Sequence, residues 1–372
     1  MAKFTDELKL PSGVTLKNRL MMSPMTTRQS FFDGEVTTDE IKYYERRAHG
    51  VGAIITGAAN VEPLGKGWPG ELSIADDTMV PRLHDLASAI QGAGAKAIVQ
   101  IFHAGRMTHK ATLGGEQIVS ASAVPALRPD AETPREMTED EILATIDAFG
   151  AATRRVIEAG FDGIELHGAN TYLLQQFYSP HSNRRTDKWG GSRENRYRFI
   201  GAVLDSVFAA VKQYAKKPFI VGYRVSPEEF ETPGIRFADT LALLEKLVQT
   251  PLDYIHISLN NFDRVARAED YQDKSILAYV NEAVHGRVPV VGVGQVRQRA
   301  DVEQVLATSD LVAVGEQLLY DPDWATNLLA GKESAGDLTT ASFETLFNRE
   351  QDQFALPLRT FLGERYQSTP NI

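Results

Sequence analysis

Residues 138–167 read TEDEILATIDAFGAATRRVIEAGFDGIELH. Thr138, with Glu141 three positions on, carries the pattern of a capping box that opens a helix. An amphipathic run takes that helix to Ala159, and Gly160 stands where a C-cap glycine ends it. The apolar run Gly163–His167 then reads as a strand. A helix feeding a strand at this spacing is the repeating unit of a parallel sheet covered by helices.

The same alternation extends outward in both directions. Strands are expected near Arg19–Ser23, Ala53–Ala58, Ala97–Phe102, Gly163–His167, Phe219–Val225, Tyr254–Ser258, Val288–Gly292 and Leu311–Val314. Helices are expected near Thr38–His49, Val80–Gly92, Thr138–Ala159, Arg193–Tyr214, Phe237–Gln249, Lys274–His285, Arg299–Thr308 and Asp321–Ala330. Several strands are nearly unbroken Ile, Val and Ala, which suits burial on both faces. Gly94 marks a helix end of the same kind as Gly160. Eight units favour closure, so the expected fold is an α/β TIM (β/α)8 barrel. It fills a single domain, 1–372, with 332–372 as a C-terminal extension packed on the barrel. Two connections are too long to be simple turns. Arg106–Glu136, after strand three, is rich in Pro and Gly and reads as holding a short hairpin; Gly168–Ser192 follows strand four. Both leave the C-terminal ends of strands, the face on which such barrels build active sites. In the second loop, Phe177 and Tyr178 are expected to pack inward, Arg184 and Arg185 to be surface charges, and Trp189 to order the chain.

Composition narrows the function classes. A formal charge of -10 speaks against a nucleic-acid surface, which would carry a basic stripe. The absence of Cys removes disulfides, thiolate metal sites and thiol nucleophiles, and fits a reducing, cytoplasmic setting. Residues 1–9 lack the apolar core of a signal peptide, and the longest apolar runs are far too short to cross a bilayer, so no membrane association is expected. The eight His show no paired metal spacing, and no nucleophile elbow or Walker A loop is present.

The residues closing the strands form one ring of small groups, amides and a cation. They are Ser23, Pro24, Met25 and Thr26 from strand one, Gly57 and Ala58 from strand two, and Gln100 with His103 from strand three. Strand four gives His167, Asn170 and Tyr172, strand five Arg224, strand seven Gly292 and Gly294, and strand eight Gly315. A large flat ligand with a phosphate suits such a mouth. Gly292, Gly294 and Gly315 serve either as tight turns or as the phosphate cradle of these barrels. Arg297 stands where a dinucleotide fingerprint would need its third glycine, so that motif is absent. Arg224 either faces charge developing on a ligand or pairs with a strand carboxylate, Glu165 being the candidate. His167 and Asn170 can both donate to one carbonyl oxygen, as oxyanion donors do. Tyr172 carries a phenol, a general acid that is protonated at neutral pH. The competing reading of this trio is a capping Asn and a core Tyr.

With these residues laid out, the chain resembles the Old Yellow Enzyme family of FMN-dependent NAD(P)H:flavin oxidoreductases and ene-reductases. The segments that carry the likeness are Asn18–Thr26, Gln100–Arg106, Gly163–Phe177, Asn183–Ser192, Arg224–Pro227 and Gly292–Gly294. The resemblance implies non-covalent FMN, with NADH or NADPH as a transient hydride donor and a small electron-poor alkene as acceptor. It implies that Pro24, Met25 and Thr26 back the isoalloxazine, that Ala58 and Gln100 meet its pyrimidine ring, and that Arg224 lies near N1 and O2. It also implies that His167 and Asn170 grip the substrate oxygen and that Tyr172 supplies the proton. Quinones, nitro compounds or amines are the alternative substrates, and a homo-oligomer is among the forms the family takes. Two positions depart from the family. Glu316 follows Gly315 where many relatives have a phosphate-binding Arg, so backbone amides or another cation are expected to hold the phosphate. Arg28 replaces a Tyr of one subgroup at a position expected to shape the substrate entrance.

Overall fold

The computed structural model describes residues 2–333, 358 and 360–362. Its centre is a closed barrel of eight strands: β1 Leu20–Met22, β2 Ala53–Asn60, β3 Lys96–Phe102, β4 Gly163–Gly168, β5 Ile220–Val225, β6 Tyr254–Ile257, β7 Val290–Val293 and β8 Leu311–Val314. Neighbours pair in parallel all the way round, and β8 returns to β1 through Val312↔Leu20 and Val314↔Met22. The outer helices are α1 Thr38–Ala48, α2 Val80–Gly92, α3 Glu139–Glu158, α4 Arg193–Tyr214, α5 Phe237–Leu247, α6 Ile276–Val284, α7 Arg299–Leu306 and α8 Trp324–Leu329. The expected order of elements is therefore the observed one. The capping box at Thr138 is formed: its side chain accepts from Glu141 N–H, and the Glu141 carboxylate accepts from Thr138 N–H at 2.7 Å. Gly94 and Gly160 both take positive φ, 91° and 85°, just past helix ends, a conformation that costs a Cβ-bearing residue about 1 kcal/mol or more.

Alternation along the strands sorts the side chains. Outward-facing residues join the helices in one large apolar layer. Inward-facing Met21, Ile55, Ile98, Ile220, Tyr254, Val291 and Leu311 fill the lower barrel. Leu10, Val14 and Leu16 belong to the same cluster and come from an N-terminal antiparallel hairpin, Leu8–Lys9 with Thr15–Leu16. That end is thus plugged, and function is confined to the other.

Three local features differ from expectation. The short strands in the loop after β3, Val119–Ser120 and Arg135–Glu136, pair in parallel and are not a hairpin. The chain between them is long enough to return to the same side before pairing. The loop after β4 contains a short helix, Leu173–Tyr178, whose residues are all buried, Phe177 and Tyr178 among them. Arg184 is exposed as expected, but Arg185 is not a surface charge. It is buried, donates to the carbonyls of Ala121 and Met137 at 3.1 and 2.7 Å, and pairs with Asp187. Such a cation is tolerated because its donors are satisfied, and it ties the β4 loop to the β3 loop. Trp189 is buried and its carbonyl accepts from Asn183 Nδ2 at 2.8 Å, which holds the loop closed. Of the C-terminal extension expected over 332–372, most lies outside the described residues; Leu358 and Leu362 are buried against the large apolar layer.

Candidate active site

The mouth opposite the plug holds a cavity of about 480 Å³, within the usual range for a cofactor site. Ser23, Pro24, Met25, Thr26, Ala58, Gln100, His167, Asn170, Tyr172, Arg224, Gly294, Gly315 and Glu316 all line it. Gly292 does not. A Cβ there would meet Val305 Cγ1 at 2.5 Å and Ser309 Oγ at 2.7 Å, so this glycine answers to strand–helix packing. Ala58 reaches the cavity through a break in register between Ile55 and Ala58 on β2. The bulge lets Gly57 approach the Met25 carbonyl, where a Cβ would sit at 2.7 Å, and turns the next residue inward. His103, also marked in the sequence, is buried beneath the wall, facing Glu62 at 3.4 Å.

The strand-four trio is brought together by strain. Asn170 and Thr171 adopt φ of 54° and 64°, and two successive left-handed non-glycine residues cost about 1–2 kcal/mol each. The turn is held at several points. Asn170 N–H donates to Ser226 Oγ at 2.8 Å, Ser258 Oγ donates to Asn170 Oδ1 at 3.0 Å, and Leu173 N–H donates to the His103 carbonyl at 3.0 Å. With its oxygen occupied, Asn170 has its NH2 left to donate. His167 lies opposite Arg224 across the β4–β5 ladder, and its Nδ1 is buried with no partner. Burial, with Arg224 and His256 nearby, holds the imidazole far below its ordinary pKa of 6.5, so it is neutral. Tyr172 packs edge-on to His167 and to Phe102, each at 4.8 Å between ring centroids. Burial, reinforced by Glu71, raises its phenol above 10. Arg224 is buried with an unpartnered Nε. Burial depresses its basicity, and Glu165 is the first group to counter that.

Glu165 is indeed the carboxylate beneath Arg224, but its two oxygens are taken by others. Gln100 Nε2 donates to Oε1 at 2.7 Å, and His256 Nδ1 lies 2.9 Å from Oε2. Burial raises the Glu165 pKa, yet His256, Arg224 and Gln100 together outweigh it, so the group is ionised.

Sequence reasoning missed several lining residues: Trp68, Leu259, Asn260, Gln295, Arg297 and Leu362. Trp68 sits in a Gly-Trp-Pro-Gly stretch of the loop that leaves the C-terminal end of β2, which is a legible signal. Arg297, noted only for breaking a fingerprint, is the cation lining the Gly294–Gly315 side among the described residues. Leu362 is remote in sequence and carried no signal. Arg28 does not line the cavity; its guanidinium lies 4.6 Å from the centroid of the Phe361 ring, and the adjacent Leu362 is the residue that lines it.

The profile of the NADH:flavin oxidoreductase / NADH oxidase family matches residues 8–334. The chain belongs to the Old Yellow Enzyme family. FMN as cofactor comes with that membership. Among relatives, it is similar to an NADH:acrylate oxidoreductase of Vibrio harveyi, 48% identical over 364 residues, 96% of this chain but 36% of that protein. The chain therefore spans little more than a third of that relative's length. It is 43% identical to a probable NADH-dependent flavin oxidoreductase of Bacillus subtilis, covering 87% of this chain and 86% of the other. A solved structure of morphinone reductase in complex with tetrahydroNAD superposes with a TM-score of 0.77 at 26% identity, over 92% of this chain and 94% of that one. The orphan donor of this Old Yellow Enzyme mouth fits a flavin: the buried Arg224 Nε, without a protein partner, asks for an acceptor from a ligand, and the buried His167 Nδ1 beside it is likewise left for a ligand to complete.

Proposed function

We propose that this chain reduces a small, electron-poor C=C bond with hydride taken from NADH or NADPH. The single observation that carries this reading is the convergence of His167, Asn170 and Tyr172 on the cavity that Arg224 also lines. FMN supplies hydride chemistry at its N5 when bound. Ser23, Pro24, Met25, Thr26, Ala58 and Gln100 would seat its ring, and Arg224 would face the negative charge that reduction places on the pyrimidine side. The phosphate would rest on backbone N–H groups at Gly294, Gly315 and Glu316, with Arg297 supplying the cation that Glu316 cannot.

On the substrate side, a neutral imidazole and an amide NH2 stabilise charge building on a carbonyl or carboxyl oxygen. Neutral donors bonded to that oxygen draw electron density from the conjugated double bond and make its β-carbon more electrophilic. Tyr172 keeps its proton until a carbanion-like centre forms beside it, then delivers it to the α-carbon. The acrylate in the name of the Vibrio relative is a conjugated alkene of this class. No helix among the described residues is long and apolar enough to cross a membrane. Work in the cytoplasm, where NAD(P)H is made, is part of the same reading.

The test is direct. Purified protein should show an oxidised-flavin spectrum, bleach anaerobically with NADH or NADPH, and regain colour stoichiometrically with cyclohexenone. Protein that bleaches but is not reoxidised by any of a panel of enones and unsaturated acids would refute ene-reduction while leaving the flavin.

A further inference from the structure

Beneath the cavity lies a polar layer that the reaction as described does not use. Glu165 and His256 are both fully buried, and the carboxylate is bonded by His256 on one oxygen and by Gln100 on the other. A carboxylate placed so deep is costly unless it is fully paired, and apolar residues of similar size would serve packing as well. The strand registers show what it is paired toward. Glu165 stands opposite Gln100 on β3 and opposite Gly222 on β5. Gly222 carries no side chain, and the Tyr254 ring occupies the space a Cβ would need, with Cζ 2.2 Å away. The next inward residue on β5 is Arg224, which lines the cavity.

Two consequences follow for the residues above. An amide is planar, with its nitrogen and oxygen on opposite sides. Since Gln100 turns its nitrogen down to Glu165, its carbonyl oxygen is the atom presented upward to the cavity it lines. And a negative charge one step below Arg224 offsets part of the field that the guanidinium projects into the cavity. We propose that Glu165 is a positioning residue for the FMN site: it orients the Gln100 amide as an acceptor for the ring's N–H, and its charge holds the bound flavin's potential down against the pull of Arg224. His256 completes the arrangement by satisfying the second carboxylate oxygen. This rests on FMN occupying the mouth, as in the reading above.

The experiment uses the FMN-loaded protein and reads binding and potential, not turnover. In Glu165→Gln the counter-charge is gone, so affinity for reduced over oxidised FMN should rise at least tenfold. That raises the two-electron midpoint potential by about 30 mV, measured by anaerobic dye equilibration. Glu165→Asp keeps the charge but withdraws it by one methylene from Gln100. Oxidised FMN should then bind at least threefold more weakly by fluorescence titration, with the reduced-to-oxidised affinity ratio within threefold of the parent's. The aspartate variant carries the test alone if the glutamine variant does not fold. An unmoved potential in Glu165→Gln, or unmoved FMN affinity in Glu165→Asp, would overturn the proposal, since a merely structural carboxylate would leave both where they were. If the parent protein itself takes up no FMN, the underlying reading fails instead.

Discussion

Follow any barrel strand from its first inward residue to its last, and the rules of construction change within a few ångströms. At the lower end Ile98, Ile220, Tyr254, Val291 and Leu311 interlock against the N-terminal hairpin in one buried cluster. Two to four residues further along the same strands stand Gln100, Arg224 and His256, and beside them His167. The backbone pairing is the same in both layers. What differs is the account each polar atom can give of its partners. Glu165 in the middle has both oxygens bonded, whereas His167 Nδ1 and Arg224 Nε are buried and bonded to nothing in the protein. Each such orphan costs about 1–3 kcal/mol, and these two belong to residues that line the cavity, where a ligand can complete them. The lower barrel is therefore read as stability and the upper as function.

The comparison can be broken most sharply at its upper edge. Tyr172→Phe removes the proton but keeps the ring that packs on Phe102 and His167. Enone reduction should fall about 10²–10⁴-fold while bleaching by NAD(P)H stays within a small factor, in stopped-flow measurements of the two half-reactions. Equal loss in both would take Tyr172 out of the acid role. Asn170→Ala deletes one oxygen-gripping donor and should cost about 10²-fold in kcat for the alkene, with the flavin spectrum unaltered. The lower layer should answer in the other currency. Ile98→Ala should lower unfolding free energy by about 2–5 kcal/mol in denaturant titration and leave the reaction per bound flavin unchanged. A selective loss of turnover there would mean the two layers are not separable.

Smaller effects sharpen the boundary. Arg297→Ala should weaken FMN binding by about 1 kcal/mol, roughly fivefold, as expected for an exposed cation on a phosphate. An unchanged dissociation constant would leave the phosphate to backbone groups alone. The smallest expectation is a flat line. His167 is held neutral below 6.5, so it does not gain a proton as pH falls through that value. Tyr172 is held above 10, so it does not lose one as pH rises toward it. The enone half-reaction should thus be level between about pH 6.5 and 9. A limb centred near 6.5 would show an ordinary, solvated imidazole.

How much of this was legible beforehand varies residue by residue. The eight strands and their helices were, because burial on both faces writes itself as apolar runs and the caps mark the breaks. Ser23 to Thr26, Ala58, Gln100, His167 and Arg224 were legible as a ring, because the fold puts every strand's C-terminal end at one mouth. Gly292 was misplaced because a turn glycine and a packing glycine look alike in a string of letters. Arg185 was misread because nothing local says that two carbonyls from another loop wait for it. Asn260 and Leu362 come from a loop and a distant segment whose paths no periodicity records.

Periodicity and punctuation along the chain determined the barrel, the end of it that carries the site, and the chemical cast of the mouth, since each of these depends on neighbours within a turn or a strand. Tertiary structure alone decided which donors are left unpartnered, that a left-handed turn at Asn170 and Thr171 swings the amide and phenol to the cavity, and that Glu165 bonds Gln100 and His256 in preference to Arg224. Those are matters of distance between strands far apart in sequence. Hydrogen bonds reach only about 3 Å, so whether a buried polar atom is satisfied cannot be known until the chain has closed around it.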